Sequence, residues 1–276
     1  MATDSLNFHQ TFPPEQQHLS NLLQNAEAIQ NKDALKISQI TGIPQGESSG
    51  KVRPHFSYAQ YMGLLNYSYQ SGTYSVALTD LGECVRKDDP WMQEELTALL
   101  CHSMIVREHG GAPMWSQLFL NILPKYRGEV SIDVCCREMA KIFDSNEVTI
   151  RKQISPLLTS YSENGFFGTT GILKKSNDTL ALQPLDYQPD FAYLYAYCLY
   201  DFWDADFPGE NEILRTQLEK TGFRHVFGWS LSTELSVLEH LADMGIIRMN
   251  RQLTPPSIAR LSAKSDLIDN LYSLLC

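Results

Sequence analysis

The stretch from Ala34 to Val85 decides the predicted fold, and it reads ALKISQITGIPQGESSGKVRPHFSYAQYMGLLNYSYQSGTYSVALTDLGECV. Leu35, Ile37 and Ile40 share one face if the first residues are helical. Gly42 then supplies the left-handed residue with which helices commonly end. We therefore predict a first helix that stops at this glycine.

A second helix follows a polar turn that contains Ser48, Ser49 and Gly50. Because proline is tolerated only in the first helical turn, Pro54 fixes the start of this helix between residues 50 and 53. The apolar set of this segment is Phe56, Tyr58, Tyr61, Met62, Leu64 and Leu65.

Two short runs of alternating residues come next, 66–70 and 73–78, on either side of Gln70-Ser71-Gly72. Such spacing predicts a β-hairpin. Helix, turn, helix and hairpin in this order is the winged-helix pattern. In that arrangement the second helix can enter a major groove while the hairpin contacts phosphates.

The start of the second helix offers a local basic face, since no acidic residue occurs between Lys51 and Gly72. The candidate DNA contacts in this module are Lys51, Arg53, His55, Tyr58 and Gln60. Many winged helices contact protein instead, and the fold alone does not choose between the two. DNA and protein therefore remain alternative partners for this unit.

A second copy of the pattern is predicted farther along the chain. Helices 131–143 and 148–161 flank a turn at residues 144–146, and strands are expected at 166–173 and 179–182. The second helix carries Arg151 and Lys152 as further candidate nucleic-acid contacts. Pro156 implies either a kink or a helix that begins at Ser155.

A third copy is predicted within residues 213–261, after an aromatic and acidic helix between Tyr187 and Asp206. Its main helix, 233–244, is expected to expose Glu234, Glu239 and Asp243, which would repel phosphates. Strands are expected at 246–249 and 252–254, and a final helix at 265–275. The acidic face favours a protein partner for this unit.

The whole chain has 276 residues and a formal net charge of −10. This charge argues against unspecific binding along a polyanion, so any DNA contact is restricted to a local face. We predict a mainly α protein with small β-hairpins, in which tandem winged-helix-like modules pack through buried connecting helices at 92–106 and 193–203. The expected segments are 1–86 (N-terminal helix and first module), 87–128 (connecting helices), 129–186 (second module), and 187–276 (aromatic helix and third module). Without a signal pattern or a membrane-length apolar run, a cytoplasmic location is expected.

The motifs of enzymes and of metal sites lack their required context. Gly46-Glu47-Ser48-Ser49-Gly50 has the letters of a nucleophile elbow, but a helix precedes it where that motif needs a strand. Six scattered cysteines show no zinc-ligand spacing, and the vicinal pair Cys135-Cys136 lies on a predicted helix with no basic cluster. We therefore predict no catalytic residue, no cofactor and no bound metal.

Two runs, FHQTFP at residues 8–13 and DPWMQEELTALLCH at residues 89–102, resemble a bacterial family of unknown function. The genes of that family lie beside phosphoadenosine-phosphosulfate-reductase-like genes in DNA phosphorothioation and phage-defence clusters. The resemblance implies a role in defence against foreign DNA. The first hypothesis is a non-enzymatic DNA-contacting sensor or regulator. The alternative is an adaptor for a partner enzyme of the same cluster.

Overall fold

A computed structural model describes residues 6–46 and 49–275. Within them the chain is mainly helical and carries small antiparallel sheets, which confirms this part of the predicted fold class. It divides into two compact units, Met1–Leu182 and Gln183–Cys276. No helix among the described residues is long and apolar enough to cross a bilayer. Glu47 and Ser48 of the predicted polar turn, and Cys276, lie outside the described residues.

The first unit begins with the region that the sequence predicts best. Its helices are α1 Gln16–Gln24, α2 Ala34–Thr41, α3 Val52–Tyr61, α4 Asp80–Asp88 and α5 Glu95–Val106. Strands β1 Leu65–Gln70 and β2 Thr73–Leu78 form the predicted hairpin. Its two turn residues, Ser71 and Gly72, have φ of 50° and 83°, the left-handed backbone that a tight hairpin turn needs.

The predicted end of α2 is confirmed, since Gly42 closes that helix with φ 73°. The predicted apolar face of α2 is only partly correct. Ile37 is buried, whereas Leu35 and Ile40 are exposed. The reason is that only one narrow side of this short helix packs on the core, where Ile37 and Thr41 lie one turn apart.

The remainder of the first unit covers the segment for which the second copy of the pattern is predicted. Its helices are α6 Pro113–Ser116, which continues as the π-helix Gln117–Ile122 and as α7 Leu123–Lys125, then α8 Ile132–Ile142 and α9 Glu147–Ser160. Ser131 and Asn146 cap α8 and α9 with their side-chain oxygens. Helix α9 runs unbroken past Pro156, so the alternative of a helix that begins at Ser155 was wrong.

A three-stranded sheet completes this copy. It has the order β3-β5-β4, formed by β3 Glu129–Ser131, β4 Leu173–Ser176 and β5 Thr179–Leu182. The predicted strand at 166–173 was wrong except at its last residue. Phe166 and Phe167 are buried in a turn that leads into the 3-10 helix Gly168–Thr170. These two apolar side chains pack in the core, and their residues do not pair in a sheet.

From its first strand onward, the second unit has the order of the preceding segment: a strand, then helices, then two further strands. Its elements are the 3-10 helix Pro189–Phe191, α10 Ala192–Asp206, β6 Glu212–Leu214, α11 Arg215–Leu218, α12 Phe223–Val226, α13 Leu231–Asp243, β7 Ile247–Asn250, β8 Ser257–Arg260 and α14 Lys264–Asp269. Strand order is β6-β8-β7. The predicted return strand at 252–254 was wrong, since the chain pairs again only at Ser257. The last helix is shorter than predicted, because it ends at Asp269.

Buried helices occur in both units where the sequence predicted them. In α5 of the first unit Leu99 and Leu100 are 1% and 0% exposed, and in α10 of the second unit Trp203 is 0% exposed. The expectation that Glu234 lies on an exposed acidic face was wrong, since its side chain is buried against Arg215, 3.7 Å away. Burial raises the pKa of Glu234, although Arg224 and Arg215 act in the opposite direction.

The start of α5 depends on one buried carboxylate. Asp89 is 6% exposed and accepts hydrogen bonds from the backbone N–H groups of Gln93 and Glu94, at 2.9 and 3.0 Å, and from the hydroxyl of Thr97 at 2.5 Å. Hydrogen bonds to a charged acceptor are strong. Asp89 therefore stabilises the turn that leads into α5, the most buried helix of this unit.

We expect Asp89→Ala to lower the free energy of unfolding by about 2–4 kcal/mol, since one buried and two part-buried donors lose a shared acceptor. Urea unfolding followed by circular dichroism measures this. The matched control is Asp88→Ala, whose carboxylate makes an exposed pair with Lys87 and should matter by less than about 0.5 kcal/mol. Equal destabilisation by both variants would contradict the assigned role of Asp89.

Candidate nucleic-acid interface

Helix α3 brings fewer of its predicted contact residues to the surface than the sequence suggested. Arg53 and Gln60 are exposed. Lys51, directly before the helix, is half-buried, and its ammonium lies 2.5 Å from a carboxylate oxygen of Glu15. The positive charge of Lys51 is therefore already balanced by Glu15, the residue directly before α1.

His55 and Tyr58 are fully buried, which corrects the expectation that His55 lies on an exposed face. The Tyr58 hydroxyl donates to the Phe12 carbonyl oxygen at 2.9 Å. The Nε2 atom of His55 accepts from the backbone N–H of Glu15 at 3.1 Å, and Nδ1 donates to the Lys51 carbonyl oxygen at 2.8 Å. Both residues thus tie α3 to the chain ahead of α1 and cannot reach a phosphate.

Burial lowers the pKa of His55 to about 4, because the charged imidazolium is desolvated. The hydrogen-bond pattern agrees, since Nε2 can accept only while the ring is neutral. His9, another fully buried histidine, has its pKa lowered to about 4 by the same cause. The structure therefore uses these two histidines as neutral packing residues.

Helix α9 differs from α3 in having a continuous exposed face. Ile150, Ile154 and Leu157 face the core, whereas Arg151 and Lys152 are exposed. Ser155 and Thr159, each one turn farther along, are exposed on the same side. This face combines two cations with two hydroxyl groups, and both kinds of group bind phosphate or base edges in protein–DNA interfaces.

The hairpin of β4 and β5 stands opposite this face and forms a groove with α9. One part of the groove measures about 440 Å³ and the adjoining part about 340 Å³. The helix side is lined by Arg151, Ile154, Ser155, Leu158, Thr159, Tyr161, Ser162 and Glu163, and the other side by Ile132, Leu173, Lys174, Lys175, Ser176, Asp178 and Leu180. Leu158, Ser162 and Lys175 border both parts, which makes the groove continuous.

The cations of this groove are less neutralised than most others in the first unit. Lys125, Lys141, Arg86 and Arg137 are each within 4.0 Å of a carboxylate. Lys174 and Lys175 of the groove make no ion pair with any residue that the structure describes, and neither does Lys152, which lies on the exposed face of α9 outside the groove lining. Arg151 pairs with Asp133, but both side chains are more than half exposed, so a competing anion meets little resistance there.

Other candidate chemistry finds no support in the local geometry. Burial raises the pKa of the Cys135 thiol to about 12 and also raises that of Cys136, so neither is a ready thiolate. Across residues 6–46 and 49–275 no three His, Cys, Asp or Glu side chains form a group that could hold a metal ion.

Comparisons with known proteins identify a fold and no family. No family model and no curated protein matches the sequence. Two solved structures are similar, a magnesium-ion-bound SspB with a TM-score of 0.76 and an SspB crystal structure with a TM-score of 0.75. The chain has an SspB-like fold. Each is 15% identical in sequence, and each comparison covers 96% of this chain and 86% of the SspB chain.

Sequence reasoning missed the half of the groove that comes from the hairpin. Lys174 and Lys175 are adjacent residues on β4, next to the turn at Asn177 that has φ 53°. The signal was present in the sequence, since a lysine pair before Asn-Asp between two apolar runs is typical of an exposed hairpin tip. What it could not reveal is that the tip stands opposite Arg151.

Stability should fall as the pH is lowered from about 6.5 towards 4, because the unfolded chain then binds protons that buried His55 and His9 do not. For His55 the loss approaches about 3 kcal/mol at the lower limit. We expect His55→Gln to flatten this dependence in urea unfolding measured at pH 7, 6, 5 and 4. An unchanged slope in His55→Gln would show that His55 is not held neutral.

Proposed function

We propose that this protein is a non-enzymatic, cytoplasmic DNA-contacting protein built from tandem winged-helix-like modules. Its role would be that of a sensor or regulator in a phage-defence or DNA-modification cluster. The observation that carries the proposal is the groove of the second module, where Lys175 and Arg151 line one part and Lys174 lines the adjoining part, and neither lysine makes an ion pair with a described residue.

The overall negative charge does not oppose a local DNA contact. Charges farther apart than about 8 Å are largely screened at physiological ionic strength. The groove therefore presents its own lysines and Arg151 to an approaching phosphate, whereas most of the 32 acidic residues of the chain lie elsewhere. Phosphate contacts of this kind position a protein on DNA and supply most of the sequence-independent affinity.

The order of elements supports the winged-helix interpretation. In the sheets β3-β5-β4 and β6-β8-β7, a strand precedes the helices and pairs with the last strand of the hairpin. The first hairpin has a trace of the same arrangement, since Lys32, just before α2, forms a bridge with Tyr74 of β2. On this interpretation α3, α9 and α13 are equivalent helices, of which α9 has the basic exposed face.

The first module would contribute less than the sequence suggests. Arg53 and Gln60 are its exposed groups, while Lys51 is engaged by Glu15. We therefore rank Arg151, Lys152, Lys174 and Lys175 as the main contacts and Arg53 and Gln60 as secondary ones.

The setting rests on the sequence resemblance, and the SspB-like fold is compatible with it. A fold shared at 15% identity does not transfer activity. Magnesium belongs to one of the SspB structures, and the described residues of this chain suggest no group to hold it.

The second unit supports the alternative of an adaptor for a protein partner. Residues 183–276 contain 13 acidic and 7 basic residues. Glu210 is exposed in the connection between α10 and β6, and Glu212 is exposed as the first residue of β6. An acidic surface of this kind repels DNA but suits a basic protein surface.

The DNA contact is tested by the salt dependence of binding to a duplex. We expect Lys174→Ala with Lys175→Ala to weaken binding and to reduce the slope of log K against log salt by about 1–2, close to 0.9 for each phosphate that is no longer neutralised. Fluorescence anisotropy at several salt concentrations measures it. The matched control is Lys36→Ala with Lys141→Ala, two exposed and paired lysines of the same unit. A double variant of the groove that binds like the parent at every salt concentration contradicts the proposal.

The adaptor is tested by affinity capture from the native host after nuclease treatment. We expect a defined partner to be recovered by the parent and not by the variant Glu210→Lys with Glu212→Lys, because reversal of charge opposes a basic partner surface. The groove variant Lys174→Ala with Lys175→Ala is the control and should still recover it. Equal recovery of the partner by the parent and by the variant Glu210→Lys with Glu212→Lys contradicts this alternative.

A further inference from the structure

The groove of the second module has two chemically different ends. Arg151 and Ser155 line one end, and Leu173 and Tyr161 line the other. Lys175 borders both parts. The first end is also lined by Asp178, and the second end by Glu163 and Lys174. A ligand that is anionic at the Arg151 end and partly apolar at the other end fits this lining.

The apolar end is formed by side chains from all three elements of the groove. Leu158 comes from α9, and Leu173 and Leu180 come from the paired strands β4 and β5. Leu180 lies directly across the hairpin from Lys175, so the lysine stem stands beside the apolar floor. The volume of about 440 Å³ falls within the roughly 300–1,000 Å³ typical of small-molecule sites.

The rim of the apolar end adds groups with hydrogen-bonding capacity. Ser162 has an exposed hydroxyl that donates to the Thr159 carbonyl oxygen at 2.7 Å and still has acceptor capacity. Glu163 is exposed and supplies a carboxylate. A carboxylate repels phosphate but accepts a hydrogen bond from the amino group of a base. Glu163 therefore favours an orientation in which the base, and not the phosphate, lies at this end of the groove.

We propose that this groove binds one unpaired nucleotide of a DNA strand. The base lies on the partly exposed Leu158 and the edge of Leu173, and its phosphate lies between Arg151 and Lys175 in the part that Asp178 also lines. This inference rests on the proposed function, since it presumes that the groove contacts DNA. It extends that function by naming the form of DNA preferred.

Pairing explains why the nucleotide must be unpaired. In a duplex both faces of each base are covered by stacking and its edge is occupied by its partner, so an apolar floor below the rim of the groove is out of reach. A base that is flipped out, or at a single-stranded junction, can enter and gains contact with apolar side chains. Paired DNA would contact only the cationic rim.

The test uses the full chain and three fluorescent duplexes in anisotropy measurements at one low salt concentration. The first duplex is fully paired, the second has one extra unpaired nucleotide, and the third has an abasic residue at that position. We expect the second to bind about tenfold more tightly than the abasic one, in line with the contribution of a single bound base. The abasic duplex keeps the phosphate and the local bend, so the difference isolates the base.

A groove-filling variant adds a structural test. Ser162→Tyr places a ring over the apolar end from an exposed position and should abolish the preference for the unpaired nucleotide. The control Thr169→Tyr adds the same ring at an exposed residue outside the groove and should keep the preference.

The outcomes separate this inference from the proposed function. Binding to the paired duplex that depends on Lys174 and Lys175, together with equal affinity for the unpaired and abasic duplexes, overturns the inference and leaves the proposed function standing. A preference that survives Ser162→Tyr also overturns it, because the base would then bind elsewhere. Failure to bind any of the three duplexes overturns both.

Discussion

Burial of helix α3 on most of its sides is the constraint on which the arrangement of the first unit depends. Phe56 stacks on Tyr74 of the hairpin at 4.9 Å, and Tyr58 meets Trp115 edge to face at 5.9 Å. A helix enclosed on nearly all sides joins the hairpin, the N-terminal segment and α6 into one core. The same enclosure removes His55, Ser57 and Tyr58 from solvent, so a continuous polar surface is more readily formed by a helix that is packed on one side only. Helix α9 meets that condition.

Local sequence signals sufficed for the elements whose ends are set by a single residue. Gly42 closes α2, Ser71 and Gly72 turn the first hairpin, and Asn146 opens α9. These effects depend on backbone conformation within a few residues, and so they can be predicted without the fold. Helix α4 was missed although Thr79 caps it and Arg86 lies in its last turn. The apolar content of that helix is too small to give a clear periodicity.

Burial was harder to predict than helical structure, because it depends on what packs across the chain. Leu35 and Glu234 show the two directions of error, an apolar side chain left in solvent and a carboxylate enclosed beside Arg215. The candidate site follows the same rule. Arg151 was found because charge on a predicted helix is visible in the sequence. Its relation to Lys175, 24 positions later, exists only once the hairpin folds against α9.

The hydrogen bond between Tyr161 and His102 links the end of the groove to the most buried helix of the first unit. The Tyr161 hydroxyl lies 2.7 Å from Nδ1 of His102, and the tyrosine ring stacks on Phe167. Both partners are enclosed, so neither can be exchanged without a matching change in the other. During divergence the lysines of the hairpin can vary freely with the ligand, whereas positions 102 and 161 should change together. Such paired change would mark the descendants of this chain that keep the groove in its present shape.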